Sequence, residues 1–374
     1  MSGGLRVLVV NAGSSSVKLS LIGPREETLA AQELPAPQAT LDPGELRTAL
    51  AGPLGDADAV GHRIVHGGEQ FSQAVVVDAE VEADLHKLVD LAPLHQPKSL
   101  AALDAVSGVL PGLPAVACFD TAFHRTLAPA AFTYARPSVW RERWGVRRYG
   151  FHGLSHGWVA RRVPELIGRP GAELRVVSCH LGAGASLCAI AAGRSVDTTM
   201  GFTPLEGLVM ATRSGSVDPG LLLWLLERSG LSERELAQTL EHEAGLKGLA
   251  GTADMREVLD RAAAGDGAAE LAREVYLHRL RSAIGAMTAS LGGLDALVFT
   301  GGVGERSAEV RERAVAGLDF LGVQVDRERN EVAAGDAELS AREARARTLV
   351  VQAREDLEIT RQVRVALNAS GADP

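Results

Sequence analysis

Two stretches of this sequence, VLVVNAGSSSVKLSLI at residues 7–22 and VVSCHLGAGASLCAI at residues 176–190, follow one plan. In each, an apolar run with β-branched residues leads into a tight turn of glycine and small residues and then into a second apolar run, the pattern of a β-hairpin. Glycine lets the backbone turn sharply, so that successive N–H groups can converge on an anion. The repetition predicts a duplicated fold with an anion-binding turn in each half.

A third glycine turn supports this interpretation. The segment ALVFTGGVGERSAEVRERA at residues 296–314 passes from an apolar strand through three glycines into a helix, an arrangement typical of phosphate or ribose binding. A single glycine-rich turn is usually only a turn. Three of them, each following an apolar strand, indicate a nucleotide.

The composition limits the class of protein. The chain has 374 residues, 46% hydrophobic and 23% charged, which is ordinary for a soluble protein and favours two domains, 1–150 and 151–374. The first carries the first hairpin, and the second carries the other two glycine turns and is the expected nucleotide-binding domain, from which a C-terminal helix can pack back on the first. No apolar run is long enough to span a membrane, and the N-terminus lacks the pattern of a signal peptide, so we expect a cytoplasmic protein. A net charge of −9 argues against a nucleic-acid surface.

Smaller patterns predict local structure. Asp218–Pro219 begins an apolar helix, Ser232 and Glu235 form a capping box, and residues 268–291 have helical periodicity. Residues 24–58 have no clean period and are expected to be peripheral, whereas the charged residues 339–363 read as a solvated helix face. The alternation of short strands and helices indicates an α/β fold. Three cysteines without CxxC spacing read as small core residues.

Polar residues within apolar surroundings are the candidates for chemistry, because a buried charge must be paired or used. These residues are Arg63 in GHRIVHGGE, His95 in LAPLHQP, Asp120 in CFDTAFH, His152 and His156 in RRYGFHGLSH, His180 in the second hairpin and Arg213 in a Gly/Ser-rich loop.

Each candidate also has a structural explanation. Arg63 can be a strand arginine paired with a carboxylate, Asp120 a helix N-cap, and His180 a core histidine. His152 and His156 would share a helix face and could bind zinc, although no HExxH pattern accompanies them. The chain shows no Ser–His–Asp triad, Walker A sequence or GxGxxG fingerprint. Cationic side chains and anion-binding turns favour phosphoryl transfer, which needs charge neutralisation and positioning.

The order of the motifs NAGSSSVK, GHRIVHGGE, PLHQP, FDTAFH, YGFHGLSH, DTTMGFTPLEGL, TRSG and REDLEI resembles the acetokinase family, within the superfamily of acetate and sugar kinases, Hsp70 and actin. The resemblance implies a duplicated two-domain α/β fold, actin-like (ribonuclease H-like), with an active-site cleft between the domains. It also implies reversible phosphoryl transfer from ATP to acetate, giving acetyl phosphate and ADP by direct in-line attack with Mg²⁺, or Mn²⁺ as the alternative metal. Family members form homodimers.

The same resemblance assigns roles to residues. Arg63 and Arg213 would hold the carboxylate and the transferring phosphoryl group, His152 would stabilise its equatorial oxygens, and Asp120 would orient substrate or an arginine. Metal ligands would be Asn11 and Glu355. A methyl pocket would be formed by Val65, Leu94, Phe151 and Pro204, and His95 would support the active site. Nucleotide contacts would come from Ser14, Ser16 and Lys18, from His180, Leu181, Gly182, Ala183 and Gly184, from Asp254, Met255 and Arg256, and from Gly301, Gly302, Val303, Gly304 and Glu305.

Three features depart from the family pattern. The second hairpin reads HLGAGAS where HLGNGSS is usual, so that Ala183 replaces an amide and Ala185 a hydroxyl. The C-terminal NEEL motif is REDL, and the segment before GHR is shorter than usual.

Three other functions remain open from the residues. A propionate or other short-chain carboxylate kinase would share the catalytic residues, since a pocket discriminates one methylene by only about 1–3 kcal/mol. An actin- or Hsp70-like binding module would keep the nucleotide site but have no use for Arg63 and Arg213. A metal-dependent hydrolase would be built on His152 and His156.

Overall fold

The computed structural model describes residues 4–13, 16–36, 42–91 and 96–370. The chain divides into two compact units. Unit 1 comprises Met1–Arg125, His152–Trp158 and Arg354–Pro374, and unit 2 comprises Thr126–Phe151 and Val159–Ala353. The boundary therefore differs from a single division after residue 150, because two later segments of the chain pack with the N-terminal sheet.

Unit 1 is built on a six-stranded mixed sheet in the order β3-β2-β1-β4-β6-β5. The first three strands form an antiparallel meander, and β4 and β6 continue the sheet in parallel with β1, while β5 pairs antiparallel with β6. The strands are β1 (Val7–Ala12), β2 (Ser16–Ile22), β3 (Thr28–Pro35), β4 (Ala59–Ile64), β5 (Val75–Val76) and β6 (Ala115–Phe119).

Unit 2 repeats this topology strand for strand, in the order β9-β8-β7-β10-β12-β11. Its meander is β7 to β9, β10 and β12 extend it in parallel, and β11 pairs antiparallel with β12. The strands are β7 (Arg175–Leu181), β8 (Ala185–Ala191), β9 (Arg194–Thr198), β10 (Ala296–Thr300), β11 (Ala337–Glu338) and β12 (Arg347–Val350). The duplication predicted from the two hairpins is confirmed, and the chain has the α/β fold expected.

The helices belong mostly to one unit or the other. Unit 1 contains α1 (Pro43–Leu50), α2 (Ala79–Lys87), α3 (Gln96–Val109) and α15 (Glu355–Ser370), and unit 2 contains α4 (Pro129–Phe132), α5 (Ser138–Trp144), α7 (Pro219–Arg228), α8 (Glu233–His242), α9 (Gly245–Ala250), α10 (Met255–Ala263), α11 (Gly267–Leu291), α12 (Gly301–Arg306), α13 (Ala308–Val315) and α14 (Arg327–Val332). Helix α6 (Gly153–Ile167) begins in unit 1 and ends in unit 2. Short 3₁₀ turns occur at Pro53–Gly55, Leu88–Leu91, Ala122–Thr126, Gly171–Glu173 and Asp319–Leu321.

Helix α15 packs directly on the sheet of unit 1. A Cβ atom added to Gly61 in β4 would lie 2.6 Å from the Ile359 side chain and 2.7 Å from that of Val363, so only glycine permits this approach. The buried Cys118 thiol on β6 lies 4.0 Å from the carbonyl of Ile359. The last helix is therefore part of the core of the N-terminal unit.

Two sequence-based expectations are wrong. The segment 24–58 is not merely peripheral, because it contributes edge strand β3 and helix α1, whose Leu46 and Leu50 are buried in the core. The charged segment 339–363 is not one solvated helix face, since it contains strand β12 and the buried face of α15. In both segments, charged residues on one side of the elements obscured the apolar residues of the other side in the sequence pattern.

Other local predictions hold. Asp218 caps α7, the capping box of Ser232 and Glu235 begins α8, and all three cysteines are buried and form no disulfide bond. Within the described part of the chain, no helix combines the length and the apolar character needed to cross a membrane.

Candidate active site

The centre of the site in unit 1 is an ion pair between β4 and the end of β6. Arg63 donates from Nη2 to Asp120 Oδ2 at 2.6 Å and from Nε to the same oxygen at 3.1 Å. Asp120 is 1% exposed. Burial opposes the charge on Arg63, but Asp120 and Glu355 attract it more strongly, so that the pKa of the guanidinium lies above its usual value. The cation is thereby held permanently in place.

Asn11 and Glu355 extend this pair into a network. The Nη1 of Arg63 donates to Asn11 Oδ1 at 3.1 Å, and Asn11 Nδ2 donates to Glu355 Oε2 at 3.2 Å, across 344 positions of sequence. Asn11 lies on β1 and Glu355 begins α15. Four of the residues singled out from sequence are thus brought together.

The amide and carboxylate oxygens of Asn11 and Glu355 fit a magnesium site. Mg²⁺ prefers oxygen ligands and is usually held by one or two protein groups together with waters and substrate phosphates. These two side chains are neighbours and supply such oxygens without a sulfur or imidazole ligand. The donor set is therefore suitable for Mg²⁺.

The turn that carries His152 is attached to Asp120. Gly153 N donates to the Asp120 carbonyl at 2.8 Å, and His156 N donates to the His152 carbonyl at 2.9 Å. His152 has φ of 56°, which is unusual for a residue other than glycine. Helix α6 begins after it, so the prediction that His152 and His156 share a helix face is wrong. Strain at this turn fits a functional position.

The Asp120 carboxylate accepts two hydrogen bonds from Arg63, and its interpretation as a helix N-cap stays a prediction. The structural explanation for Arg63, a strand arginine paired with a carboxylate, describes its geometry correctly. It does not exclude a role in chemistry, since the pair is joined to two further polar groups.

Arg213 has a corresponding anchor in unit 2. Its Nε lies 3.1 Å from Glu241 Oε2, and its Nη1 donates to the carbonyl of Pro204 at 3.2 Å. Glu241, near the end of α8, is 8% exposed. Its own carbonyl accepts a hydrogen bond from the Thr212 hydroxyl at 2.8 Å, which fixes the loop that carries Arg213.

The two glycine turns of unit 2 lie against each other. Gly182 N donates to Gly184 O at 3.0 Å and closes the β7–β8 turn. Gly301, with φ of 76°, is so close to the backbone of Leu181 that a Cβ atom would lie 2.8 Å from its carbonyl oxygen. The Glu305 carboxylate accepts hydrogen bonds from the amides of Gly301 and Ala353 at 2.9 and 3.0 Å, which fixes the position of the Gly301 turn.

A cavity of about 570 Å³ opens beside these turns, within unit 2. Seven of the predicted nucleotide contacts line it: Gly182, Ala183, Asp254, Met255, Arg256, Gly302 and Val303. Asp254 caps α10 and is also paired with Arg256, whose guanidinium lies 2.6 Å from its carboxylate. The volume is in the range of small-molecule sites.

Other predicted contacts do not line this cavity. His180, Leu181, Gly184, Gly301, Gly304 and Glu305 lie in the neighbouring strands and turns, and Ser16 and Lys18 belong to unit 1. The Ser16 hydroxyl is hydrogen-bonded to Glu33. Ala185, which replaces a hydroxyl of the family pattern, is fully buried in β8.

The predicted methyl pocket is only partly described. Val65 is in unit 1, Phe151 and Pro204 are in unit 2, and all three are buried. Leu94 and His95, together with Ser14 of the first hairpin, lie outside the described residues.

Several residues of the site were not indicated by the sequence pattern. Glu241 was not singled out, although it is a buried acid at the end of an otherwise polar helix. The cavity is also lined by Ala211, Leu246, Ala253, Leu259, Tyr276, Arg306 and Ser307. Of these, Arg306 and Ser307 lie within the quoted segment 296–314, whereas the apolar residues have no sequence pattern that indicates a ligand site.

The chain is similar in sequence to known proteins over most of its length. The model of the Acetokinase family matches residues 45–361. The chain belongs to the acetokinase family. A curated acetate kinase from Leifsonia xyli subsp. xyli is 46% identical over an alignment covering 97% of this chain and 99% of the relative. Another, from Methanosarcina acetivorans, is 39% identical, with 96% of each chain covered.

Solved structures of acetokinase family members have the same fold. The acetate kinase of Porphyromonas gingivalis superimposes with a TM-score of 0.89 at 35% identity, over 97% of this chain and all of that one. A propionate kinase from Francisella tularensis subsp. tularensis gives 0.88 at 33% identity, over 96% and 98%. The similarity to these kinases supports phosphoryl transfer as the function, rather than the function of an actin- or Hsp70-like binding module or of a metal-dependent hydrolase.

Proposed function

We propose that this protein is an acetate kinase that transfers the γ-phosphoryl group of ATP reversibly to acetate. In the forward direction, a carboxylate oxygen of acetate forms a bond to the γ-phosphorus while the bond from phosphorus to the bridging oxygen of ADP breaks. The products are acetyl phosphate and ADP. The observation that carries this proposal is the network of Asn11, Arg63, Asp120 and Glu355, in which a fixed cation lies beside suitable metal ligands.

Arg63 is proposed to bind the anionic reactants. Its Nε and Nη2 are held by Asp120, so the guanidinium cannot turn away from its position on β4. A preorganised cation stabilises charge that develops on the phosphoryl oxygens without reorganising during the reaction. Arg213, held by Glu241, is proposed to act in the same way on the phosphoryl group or the carboxylate.

The two histidines are proposed to donate to phosphoryl oxygens. His152 is fixed beside Asp120 by the hydrogen bond of the following residue, Gly153, and would face the equatorial oxygens of the transition state. His180 is in β7, two residues before Gly182, and would contact the γ-phosphate.

Asn11 and Glu355 are proposed to hold Mg²⁺, with Mn²⁺ as the alternative. When bound, the ion neutralises charge on the nucleotide phosphates. ATP or ADP is proposed to occupy the cavity of unit 2, where the glycine turns can present backbone N–H groups and Met255 and Leu259 offer apolar surface.

Propionate is the alternative substrate, and the structural likeness to a propionate kinase supports keeping it. The substrate methyl group is proposed to contact Val65, Leu94, Phe151 and Pro204. Such a pocket discriminates by about 1–3 kcal/mol per methylene, so both acids are expected to react at different rates.

We also propose that the protein acts as a homodimer in the cytoplasm, with α7 in the interface. No residue of α7 is buried, and this includes its large apolar side chains: Leu221, Leu223 and Trp224 are 45%, 63% and 57% exposed. If two copies packed α7 antiparallel about a twofold axis, Asp218 at its start would approach the partner's Arg228 at its end. This charge complementarity around an apolar centre favours a second copy of the chain as the partner that packs against α7.

The function is tested by trapping acyl phosphate as the hydroxamate. Purified protein is incubated with Mg-ATP and acetate, propionate or butyrate in parallel. Product with acetate preferred supports the proposal, and a preference for propionate supports the alternative. Absence of acyl phosphate with all three acids would contradict both.

A further inference from the structure

One arginine that lines the cavity of unit 2 has no side-chain partner within the part of the chain that the structure describes. Arg306, the last residue of α12, is exposed and lines the cavity. Among the described residues it has neither a carboxylate partner nor a hydrogen-bond acceptor. The other lining arginine, Arg256, is bound in two places to Asp254, the only acid in the lining. Arg306 is therefore available to a ligand.

Arg306 is at the end of α12 opposite to Gly301 and Gly302. It is four residues after Gly302, which corresponds to about 6 Å along a helix at 1.5 Å per residue. The turns at Gly182 and Gly302 are suited to phosphates because glycine allows close backbone approach. A nucleotide whose phosphates lie at the turns would extend its base away from them, toward the end of α12 and the apolar side chains of Met255 and Leu259.

The chemistry of a guanidinium discriminates between purines. Arginine has five N–H donors and no acceptor. Guanine and hypoxanthine present two adjacent acceptors, O6 and N7, whereas adenine presents N7 beside an N6 amino donor. An arginine beside the base can therefore form two hydrogen bonds with a 6-oxopurine and only one with adenine.

We propose that Arg306 is a specificity-determining residue that recognises O6 and N7 of a 6-oxopurine, so that GTP and ITP are efficient phosphoryl donors alongside ATP. This rests on the phosphoryl transfer proposed above and deepens it. Because inosine lacks the 2-amino group of guanosine, ITP separates recognition of O6 and N7 from recognition elsewhere on the base.

The test compares kcat/KM for ATP, GTP and ITP in the wild type and in Arg306→Gln and Arg306→Ala. A bidentate arginine–guanine contact is worth about 1–3 kcal/mol, so the GTP/ATP and ITP/ATP ratios should fall by roughly 5- to 150-fold in Arg306→Ala. Glutamine can pair with N6 and N7 of adenine, so Arg306→Gln should shift the ratio further toward ATP. The KM for the carboxylic acid should not change.

Arg313→Gln is the matched control. It removes the same charge from the next helix, where Arg313 is paired with Glu309 and does not line the cavity, and it should leave all three nucleotides unaffected. An equal loss for ATP, GTP and ITP in the Arg306 variants would place the guanidinium on the phosphates and overturn the proposal. Unchanged ratios would overturn it as well.

Equilibrium binding keeps this test separate from the proposed activity. Calorimetric titration with ADP, GDP and IDP measures base recognition without any acid substrate. If the wild type forms no acyl phosphate with any nucleotide, the proposed function fails, yet a loss of GDP and IDP affinity relative to ADP in Arg306→Ala still supports the role of Arg306. Equal affinities in wild type and variant would contradict it.

Discussion

Asp120 carries a buried carboxylate whose charge is balanced by Arg63, and the stability and the proposed chemistry both depend on that pair. Removing one member of a buried ion pair leaves an uncompensated charge, which is far more destabilising than removing both. The structural and catalytic contributions of Arg63 can therefore be separated by comparing single and double variants.

We expect Arg63→Met to lower the free energy of unfolding by about 3–5 kcal/mol, because it strands the Asp120 carboxylate. The double variant Arg63→Met/Asp120→Asn should recover most of that loss, as followed by urea denaturation. Both variants should lose turnover by orders of magnitude in the hydroxamate assay. Near-normal turnover of the refolded double variant would remove both residues from the mechanism.

His62, the neighbour of Arg63 in β4, predicts acid sensitivity. Neither ring nitrogen has a hydrogen-bond partner among the described residues, and burial lowers the pKa of His62 to about 3. The unfolded chain, with an ordinary histidine pKa of about 6.5, binds more protons between these values. Stability is therefore retained above pH 6.5 and lost as the pH falls, by about 2 kcal/mol at pH 5.

In His62→Met this part of the acid dependence should disappear, so the difference in unfolding free energy between pH 7 and pH 5 should shrink by about 2 kcal/mol. The exposed His278 in α11 gives a control, since His278→Gln should leave the difference unchanged. An identical pH dependence in wild type and His62→Met would show that His62 is not buried in its neutral form.

At the scale of elements, the start of α6 is fixed by a single glycine. A Cβ atom on Gly153 would lie 2.1 Å from the Asp120 carbonyl oxygen, a distance no side chain tolerates. The backbone would have to move, and with it the turn of His152 and the carbonyl that receives the Gly153 N–H. One methyl group at this position should therefore displace both the turn that carries His152 and the backbone of Asp120.

We expect Gly153→Ala to destabilise the protein by about 1–3 kcal/mol and to reduce kcat more strongly than the stability loss explains. Gly157→Ala, one turn later in α6, is the matched control. Its added Cβ would be 3.4 Å from the Phe123 ring, an ordinary contact, so stability and turnover should stay near wild type. Equal behaviour of the two variants in thermal unfolding and turnover would contradict the assigned role of the turn.

At the scale of the whole molecule, the exposed face of α7 predicts the oligomeric state. Light scattering after size exclusion should give the mass of two chains, and Leu223→Lys/Trp224→Glu should give that of one. Leu271→Lys, on α11, replaces an apolar residue that is also 57% exposed and should leave the dimer intact. A monomeric wild type would contradict the proposed interface, as would a dimer that survives the α7 substitutions.

The duplicated fold could be anticipated from the sequence because each hairpin is a short continuous stretch. The four residues of the network could be named because each lies in a short motif of the acetokinase pattern, although 344 positions separate Asn11 from Glu355. Strands β3 and β12 could not be anticipated. β3 is an exposed edge strand without alternation, and β12 is four residues long, has charged residues on both sides in the sequence, and joins the sheet through pairing with the distant β10 and with β11. Glu241 and Arg306 were missed for a related reason, since both look like surface residues until the fold brings Arg213 to one and the cavity to the other.

The placement of α15 has a consequence for biosynthesis. Cys118 and Ile359, which meet in the core of unit 1, are 241 positions apart. A ribosome adding about 5–20 residues per second needs roughly 10–50 s to synthesise that interval. During this time one face of the N-terminal sheet lacks its covering helix, whereas most of unit 2 is a continuous segment that can fold as it emerges. The half of the protein that is made first is thus completed last.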